Sequence, residues 1–332
     1  MQVNLQSLQI AKLLNQSIDF RAEEALQNES IIRLCAGTPD GLPGLIVDKW
    51  GQFIVATGYD SDWAAQLPEL KSTLKSRFKN AVILCRSRRK ATDPIVVEQT
   101  SFILDGDQNW NSEFVTTAMA HNCNFEIRGN PIHDFGIFSD SAAARKRVSE
   151  IVPTLSQGRV LNLFAYSCAF GVVAAKAGAS EVTNIDPNKD YLAWGLKNGT
   201  LNSCSFKVIP ETTQKFLTRL QKRIQAGTAQ RPELVISDPP AFGVGHGAAR
   251  LLRTYWRQMV EEIVALEPQH IIILCNDRVL RQRVDVRDLI LKSTEGVYNV
   301  EEIEQSSDVQ GQAAQVQDSH FIPPLIFHLW KS

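Results

Sequence analysis

Apolar and polar positions change period twice along the chain. The first 30 or so residues read as helical, with Leu8, Ala11, Leu13 and Leu14 on one broad apolar face. Short apolar runs follow at 31–34, 45–47 and 53–56, punctuated by Asp40-Gly41-Leu42-Pro43-Gly44 and by Trp50-Gly51. That pattern predicts a small β-rich domain of hairpins. Residues 62–78 read as a helix within it and 81–84 as a strand, before a basic stretch, Arg86-Ser87-Arg88-Arg89-Lys90.

From about residue 126 strands and helices alternate. Strands are predicted at 159–164, 182–185, 206–209, 234–237 and 270–274. Helices are predicted at 170–177, 190–201, 213–225, 248–266 and 279–292. Repeated strand–helix units imply a mostly parallel sheet covered on both faces. Two strand-like runs, 298–303 and 321–330, close the chain with only a polar loop, 305–319, between them. They imply one antiparallel edge strand, a place that the pair Pro323-Pro324 suits. The expected division is a helical lead over 1–30, a small α+β domain over 31–125 and an α/β domain over 126–332. No repeat of solenoid period is present.

Composition narrows the class. With 332 residues, 44% of them hydrophobic and 21% charged, the chain can bury a sizeable core. No apolar run is long enough to cross a bilayer, and the first residues lack the pattern of a signal peptide. The six cysteines form no CxxC pair, which suits reduced thiols in the cytoplasm rather than zinc or a disulfide scaffold. His133 and His246 have no partners at metal-ligand spacing, so no metal site is expected. A net charge of -1 gives no bulk support to a nucleic-acid partner, although a local basic face can sit on a neutral protein.

In open α/β sheets ligands bind at the carboxyl ends of the strands. The first strand of the alternating half leads into Phe164-Ala165-Tyr166-Ser167-Cys168-Ala169-Phe170-Gly171, and the second ends in Asp186. An acidic residue there can accept hydrogen bonds from both hydroxyls of a ribose; the plainer reading is a solvated loop carboxylate. The turn lacks the G-x-G-x-x-G that brings a helix N-terminus onto a pyrophosphate. It therefore favours a cofactor without phosphate over a dinucleotide. The fourth strand runs into Asp238-Pro239-Pro240-Ala241-Phe242. The prolines fix a rigid turn, Asp238 faces the cofactor pocket, and Phe242 offers a flat surface to an extruded nucleobase. Cys275 ends the fifth strand. As a thiolate it could add to C6 of a pyrimidine and activate C5; as a buried cysteine it would simply pack. Both readings stay open, whereas Cys168 reads as a small packing residue.

At these motifs the chain resembles the bacterial family of large-subunit ribosomal RNA methyltransferases that includes the cytosine-C5 enzymes. The segment 40–48 is similar to the family's DGLPGL-x-x-D, and Gly136-Ile137-Phe138-Ser139-Asp140 to its G-x-F-x-D, with Arg145 at a later arginine. Asn162-Leu163-Phe164-Ala165-Tyr166 looks like N-L-F-S-Y. The resemblance implies a class I methyltransferase fold, Rossmann-like, with a smaller N-terminal β-rich domain. It also implies S-adenosylmethionine as cofactor, held by Phe138, Asp140, Arg145, Asn162, Phe164, Tyr166, Ser167, Gly171, Asp186, Thr212 and Asp238. The chain departs from the family at Ser167, Cys168 and Ala169, where a threonine and two glycines are usual. It departs again at Thr212 beside Glu211, where an aspartate is usual, and at Ser141 and Ala142, where glutamine and arginine are usual. The N-terminal RNA-binding domain of many members has a short helical lead in its place.

The resulting expectation is methyl transfer to a base of RNA, cytosine C5 or guanine N7 in large-subunit ribosomal RNA. Asp238 and Phe242 would hold the base, with Cys275 as nucleophile only for a pyrimidine C5. The alternative is a non-catalytic relative that binds adenosylmethionine or RNA on the ribosome. Arg86, Arg88, Arg89 and Lys90 are candidate phosphate contacts, or a solvated surface run. So are the cations and aromatics of 250–257, where Trp256 reads slightly better as core. The pattern leaves the oligomeric state open, a homodimer included.

Overall fold

The structure is a computed structural model that describes residues 7–21, 30–59, 61–88, 100–104, 114–129, 135–240, 249–276, 285–294, 296–312 and 323–331. Two units emerge, each made of two stretches of chain: 1–140 with 305–323, and 141–304 with 324–332.

In the first unit the period-two runs form β1 (Ile31–Ala36), β2 (Leu45–Trp50), β3 (Phe53–Gly58), β4 (Val82–Arg88) and β5 (Thr100–Leu104), paired in that order. Neighbours are antiparallel except β3 and β4, which are parallel and joined through a helix. Helix α1 (Ser7–Phe20) buries Ile10, Leu14 and Ile18 against Leu34 and Ile54 of the sheet and Leu70 and Leu74 of α2 (Leu67–Arg77). The buried face of α1 thus steps by four residues from Ile10, and Leu8 is 85% exposed rather than part of it. Helix α2 starts later than residue 62 because Pro68 sits in its first turn and 61–66 is a 3-10 segment. A hairpin, β6 (Phe114–Ala120) and β7 (Cys123–Gly129), turns on His121 and Asn122, both with positive φ as a type I′ turn requires. A boundary between 125 and 126 would cut this hairpin, and the units divide instead after Asp140.

The second unit opens with α3 (Ala142–Ile151). It then alternates β8 (Arg159–Leu163), α4 (Ala169–Lys176), β9 (Glu181–Ile185), α5 (Lys189–Leu201), β10 (Lys207–Ile209), α6 (Thr213–Gln225), β11 (Leu234–Ser237), α7 (Ala249–Val264), β12 (His270–Cys275) and α8 (Val286–Ser293). Strands β13 (Asn299–Ile303) and β14 (Leu325–Trp330) complete a seven-stranded sheet, ordered β10-β9-β8-β11-β12-β14-β13. All pairs are parallel except those of β14. The expected antiparallel strand is therefore not the edge: β14 inserts between β12 and β13, which forms the edge. Pro323 and Pro324 precede β14, where no ladder donor is needed. Leu161, Leu163, Val235, Ile271 and Ile273 pack with Trp256, Val260 and Ile263 of α7 and Leu289 of α8. Burying side chains of this size contributes about 1.5–3 kcal/mol each.

The polar loop between β13 and β14 has structure of its own, α9 (Ser307–Gln310), which packs on β1 and so belongs to the first unit. The motif at 40–48 explains why it stays there. The carboxylate of Asp40 accepts Arg21 Nη2 at 2.9 Å, the Ala36 N–H at 2.6 Å and the Gln312 N–H at 3.0 Å. Arg21 also donates to the Asp308 carbonyl, and Asp308 accepts the Arg33 N–H at 3.0 Å. Gly311, with φ 79, lies so close to Pro39 that a Cβ would stand 2.7 Å from the proline Cβ. Asp48 closes the motif by pairing with Arg33 at 2.9 Å. Among the described residues no helix is long and apolar enough to cross a membrane.

Candidate functional site

Sheet register brings three strand ends level in the second unit. Leu163 of β8 pairs with Ile185 on one side and Ser237 on the other. Asp186, Phe164 and Asp238 therefore each stand one residue beyond the same row. With neighbouring strands about 4.8 Å apart, the two aspartates flank β8 at roughly 10 Å.

Between them the chain turns through Phe164, Tyr166 and Cys168, with φ of 55, 47 and 59. Side chains other than glycine rarely adopt this region, so the turn stores strain that its contacts must hold. Asp186 Oδ2 accepts the Tyr166 N–H at 3.0 Å, and its Oδ1 accepts the Asn188 N–H at 2.9 Å. Asn198 Nδ2 donates to the Ser167 carbonyl at 3.0 Å. Gly195 of α5 leaves room for the Cys168 sulfur, which a Cβ there would meet at 2.3 Å. The Tyr166 ring stands edge-on to Tyr191 and Trp194, with centroids 4.6 and 5.7 Å away. Asn162 Nδ2 donates to Asn184 Oδ1 at 2.8 Å under α4, where Gly171 gives the space. The bulk at 167–169 is thus fitted into the fold, with Ser167 and Cys168 buried. Burial and the Asp186 carboxylate push the Cys168 thiol above its usual range, so it stays protonated and packs.

Three backbone donors of this turn are spent internally. Ala165 N–H goes to the Ile185 carbonyl, Tyr166 N–H to Asp186 and Cys168 N–H to the Ala165 carbonyl. A pyrophosphate would need such amides; a cofactor with a vicinal diol does not. Asp186 is 8% exposed and uses one acceptor position on each oxygen, out of about four that a carboxylate offers. The acceptor positions left on Asp186 fit the vicinal hydroxyls of the ribose of an adenosyl group.

At the next strand end Asp238 is half-buried and Pro239 buried. Asn276, which follows β12, donates from Nδ2 to Asp238 Oδ1 at 2.7 Å. The sequence drew attention to the neighbouring Cys275 instead. Cys275 is fully buried in the same cluster as Ile271 and Ile273, the residues two and four positions before it. Strand alternation turns all three toward the helix-packed core, which favours the packing reading of Cys275 over the nucleophile. That alternation was the signal that could have picked Asn276.

The remaining candidates are spread more widely. Thr212 is the exposed N-cap residue of α6, and Glu211 beside it pairs with Arg219 at 2.6 Å. Arg145 is buried in α3, donates to Ser141 Oγ at 3.0 Å, and its helix packs on α4. Phe138 and Asp140 belong to the first unit, Phe138 being 43% exposed. Arg86 is no surface cation: it is buried, donates to Thr57 Oγ1 at 3.0 Å and lies over the Phe135 ring. Trp256 is core, 1% exposed. Phe242, His133, His246, Arg89 and Lys90 lie outside the described residues.

Residues 84–311 match the family of S-adenosylmethionine-dependent methyltransferases. The ribosomal RNA large subunit methyltransferase I of Aeromonas salmonicida is 26% identical over 210 residues, 63% of this chain and 51% of that protein. The ribosomal RNA large subunit methyltransferase of Deinococcus radiodurans is 29% identical over 224 residues, 63% of this chain and 50% of that protein. The chain thus spans about half the length of these relatives. A solved structure from Streptococcus mutans, assigned as a SAM-dependent methyltransferase, superposes with a TM-score of 0.75 at 19% identity, over 99% of this chain and 83% of that one.

Proposed function

The chain belongs to the S-adenosylmethionine-dependent methyltransferase family, and from that premise we propose that it methylates a base of RNA, in large-subunit ribosomal RNA. The observation that carries this reading is the level row of Asp186, Phe164 and Asp238 at one end of the sheet. The relatives' names support the ribosomal substrate. Work on ribosomes would place the protein in the cytoplasm.

Adenosylmethionine supplies a methyl group on a sulfonium, which needs no metal and no general acid to leave. Asp186 holds the ribose while the 164–168 turn, braced by Asn198 and the Tyr191–Trp194 pair, shapes the wall beside it. Asp238, fixed by Asn276, accepts a hydrogen bond from the base. Both cysteines on the strand ends and turn of this region, Cys168 and Cys275, are buried. The target is therefore a nitrogen of the base, guanine N7 among the choices, rather than a C5 activated by a thiolate.

The non-catalytic alternative rests on the unusual residues at 167–169. Their snug fit against Gly195 and Asn198 supports a maintained pocket instead. Mass spectrometry of ribosomal RNA nucleosides from a strain without the gene tests the proposal. One N-methylated nucleoside should vanish and return with the wild-type gene but not with Asp238→Ala. Loss of a 5-methylcytidine, or no change at all, would refute it.

A further inference from the structure

An exposed basic stripe on a helix of the second unit starts near the strand ends and runs away from them. On α6, Lys215, Arg219, Lys222 and Arg223 recur at helical spacing on one exposed face. They line one wall of a groove of about 610 Å³ whose other wall is Gln258 and Glu262 of α7. We propose that this groove holds the sugar–phosphate backbone of the single-stranded RNA that flanks the target nucleotide. This rests on the reading of an RNA substrate given above.

Three observations support it. First, the cations are only partly neutralised. Glu211 pairs with Arg219, and Arg223 donates to the Thr228 carbonyl at 3.1 Å. Lys215 and Lys222 have no partner among the described residues. On a chain of net charge -1, four cations against Glu211 and Glu262 make a local excess of positive charge. Second, the groove is not purely cationic. Gln258 donates to one Glu262 oxygen at 2.8 Å, while the other, Oε2, is buried without a partner. The groove thus sets acceptors beside its cations, which suits an occupant with N–H or O–H groups as well as anionic oxygens. A ribonucleotide has both, in its phosphate and in its 2′-hydroxyl or base. Third, α6 begins just after β10, at the end of the sheet that carries Asp186, so the stripe leads away from the proposed reaction edge. Lys215 and Lys222 are about 10 Å apart along the helix axis, close to the rise of three stacked nucleotides.

The test uses the full chain, a fluorescein-labelled single-stranded RNA of about twelve nucleotides, and anisotropy over a salt series. The double variant Lys215→Glu/Lys222→Glu should bind RNA at least about ten-fold more weakly, and its log–log salt slope should shrink by about 1.4, the loss of two phosphate contacts. Its affinity for S-adenosylmethionine, read by calorimetry, should match wild type, which separates loss of the groove from loss of the fold. Equal RNA affinity and slope in variant and wild type would overturn the groove and leave the RNA substrate standing. Absence of RNA binding by a wild-type chain that binds adenosylmethionine would overturn both.

Discussion

Asn276 Nδ2 donates to Asp238 Oδ1 at 2.7 Å, tying the end of β12 to the end of β11. A carboxylate with one oxygen fixed presents the other in a defined direction, which is what a group that orients a base must do. Hydrogen bonds to charged groups contribute about 1.5–3 kcal/mol. Asn276→Ala should therefore lower kcat on RNA roughly 10- to 100-fold. Adenosylmethionine affinity, measured by calorimetry, should stay as in wild type, because Asp186 lies three strands away. An unchanged kcat would remove Asp238 from the proposed role.

Cys275→Ala tests the chemistry from the other side. The thiol is core, so its loss should cost about 1–2 kcal/mol in urea unfolding. Turnover at a permissive temperature should persist. Abolished turnover in a folded variant would restore the C5 mechanism.

Gly171→Ala probes the packing beneath the cofactor turn. The new Cβ would stand 2.1 Å from Asn184 Oδ1, and both asparagines in that pair are buried. Overpacking of this kind costs about 1–3 kcal/mol. The variant should unfold at lower urea and bind adenosylmethionine more weakly, since α4 must shift away from the sheet. Wild-type values in both assays would contradict the described packing.

Asp40→Ala should be the most damaging change in the first unit. It strands Arg21, whose side chain is 2% exposed, and leaves two backbone N–H groups without their acceptor. Breaking a buried pair in this way costs about 3–5 kcal/mol. Limited proteolysis should then cut within 305–312 sooner than in wild type. Unchanged cleavage there would show that α9 is held by other contacts.

His328 gives stability a pH dependence. Burial, between His270 at 3.1 Å and the Arg147–Glu301 pair, pushes its pKa from 6.5 down to about 4. Below 6.5 the unfolded chain takes up the proton first, so stability falls with pH and levels off below about 4. The loss amounts to up to about 3 kcal/mol. His328→Phe should flatten the urea midpoint between those values. An equally steep profile in the variant would assign the effect to other groups, Glu301 among them, whose lowered pKa acts in the same direction.

Period and turn chemistry made the α/β half legible. The helix at 213–225 and the strand at 234–237 match their predicted bounds, since each has one clear apolar face or run. Motif position set Asp186 and Asp238 just past strand ends, where the structure has them, because strand ends are readable. What could not be read are relations between distant segments. Nothing local says that Asp308 and Gln312 close on Arg21 and Asp40 more than 260 positions away, or that β14 threads inside β13. Asn276 was overlooked because Cys275 carries more conspicuous chemistry. Arg86 looked like a phosphate contact because a basic run hides which member turns inward.

The central claim is one adenosyl pocket whose ribose is held by Asp186. Calorimetric titration of the full chain with S-adenosylmethionine, wild type against Asp186→Asn, tests it most directly. The account predicts one site per chain in the wild type and an affinity at least about ten-fold weaker in the variant, as expected for loss of hydrogen bonds to a charged acceptor. Equal affinity in the two proteins, or no heat of binding in the wild type, would contradict it.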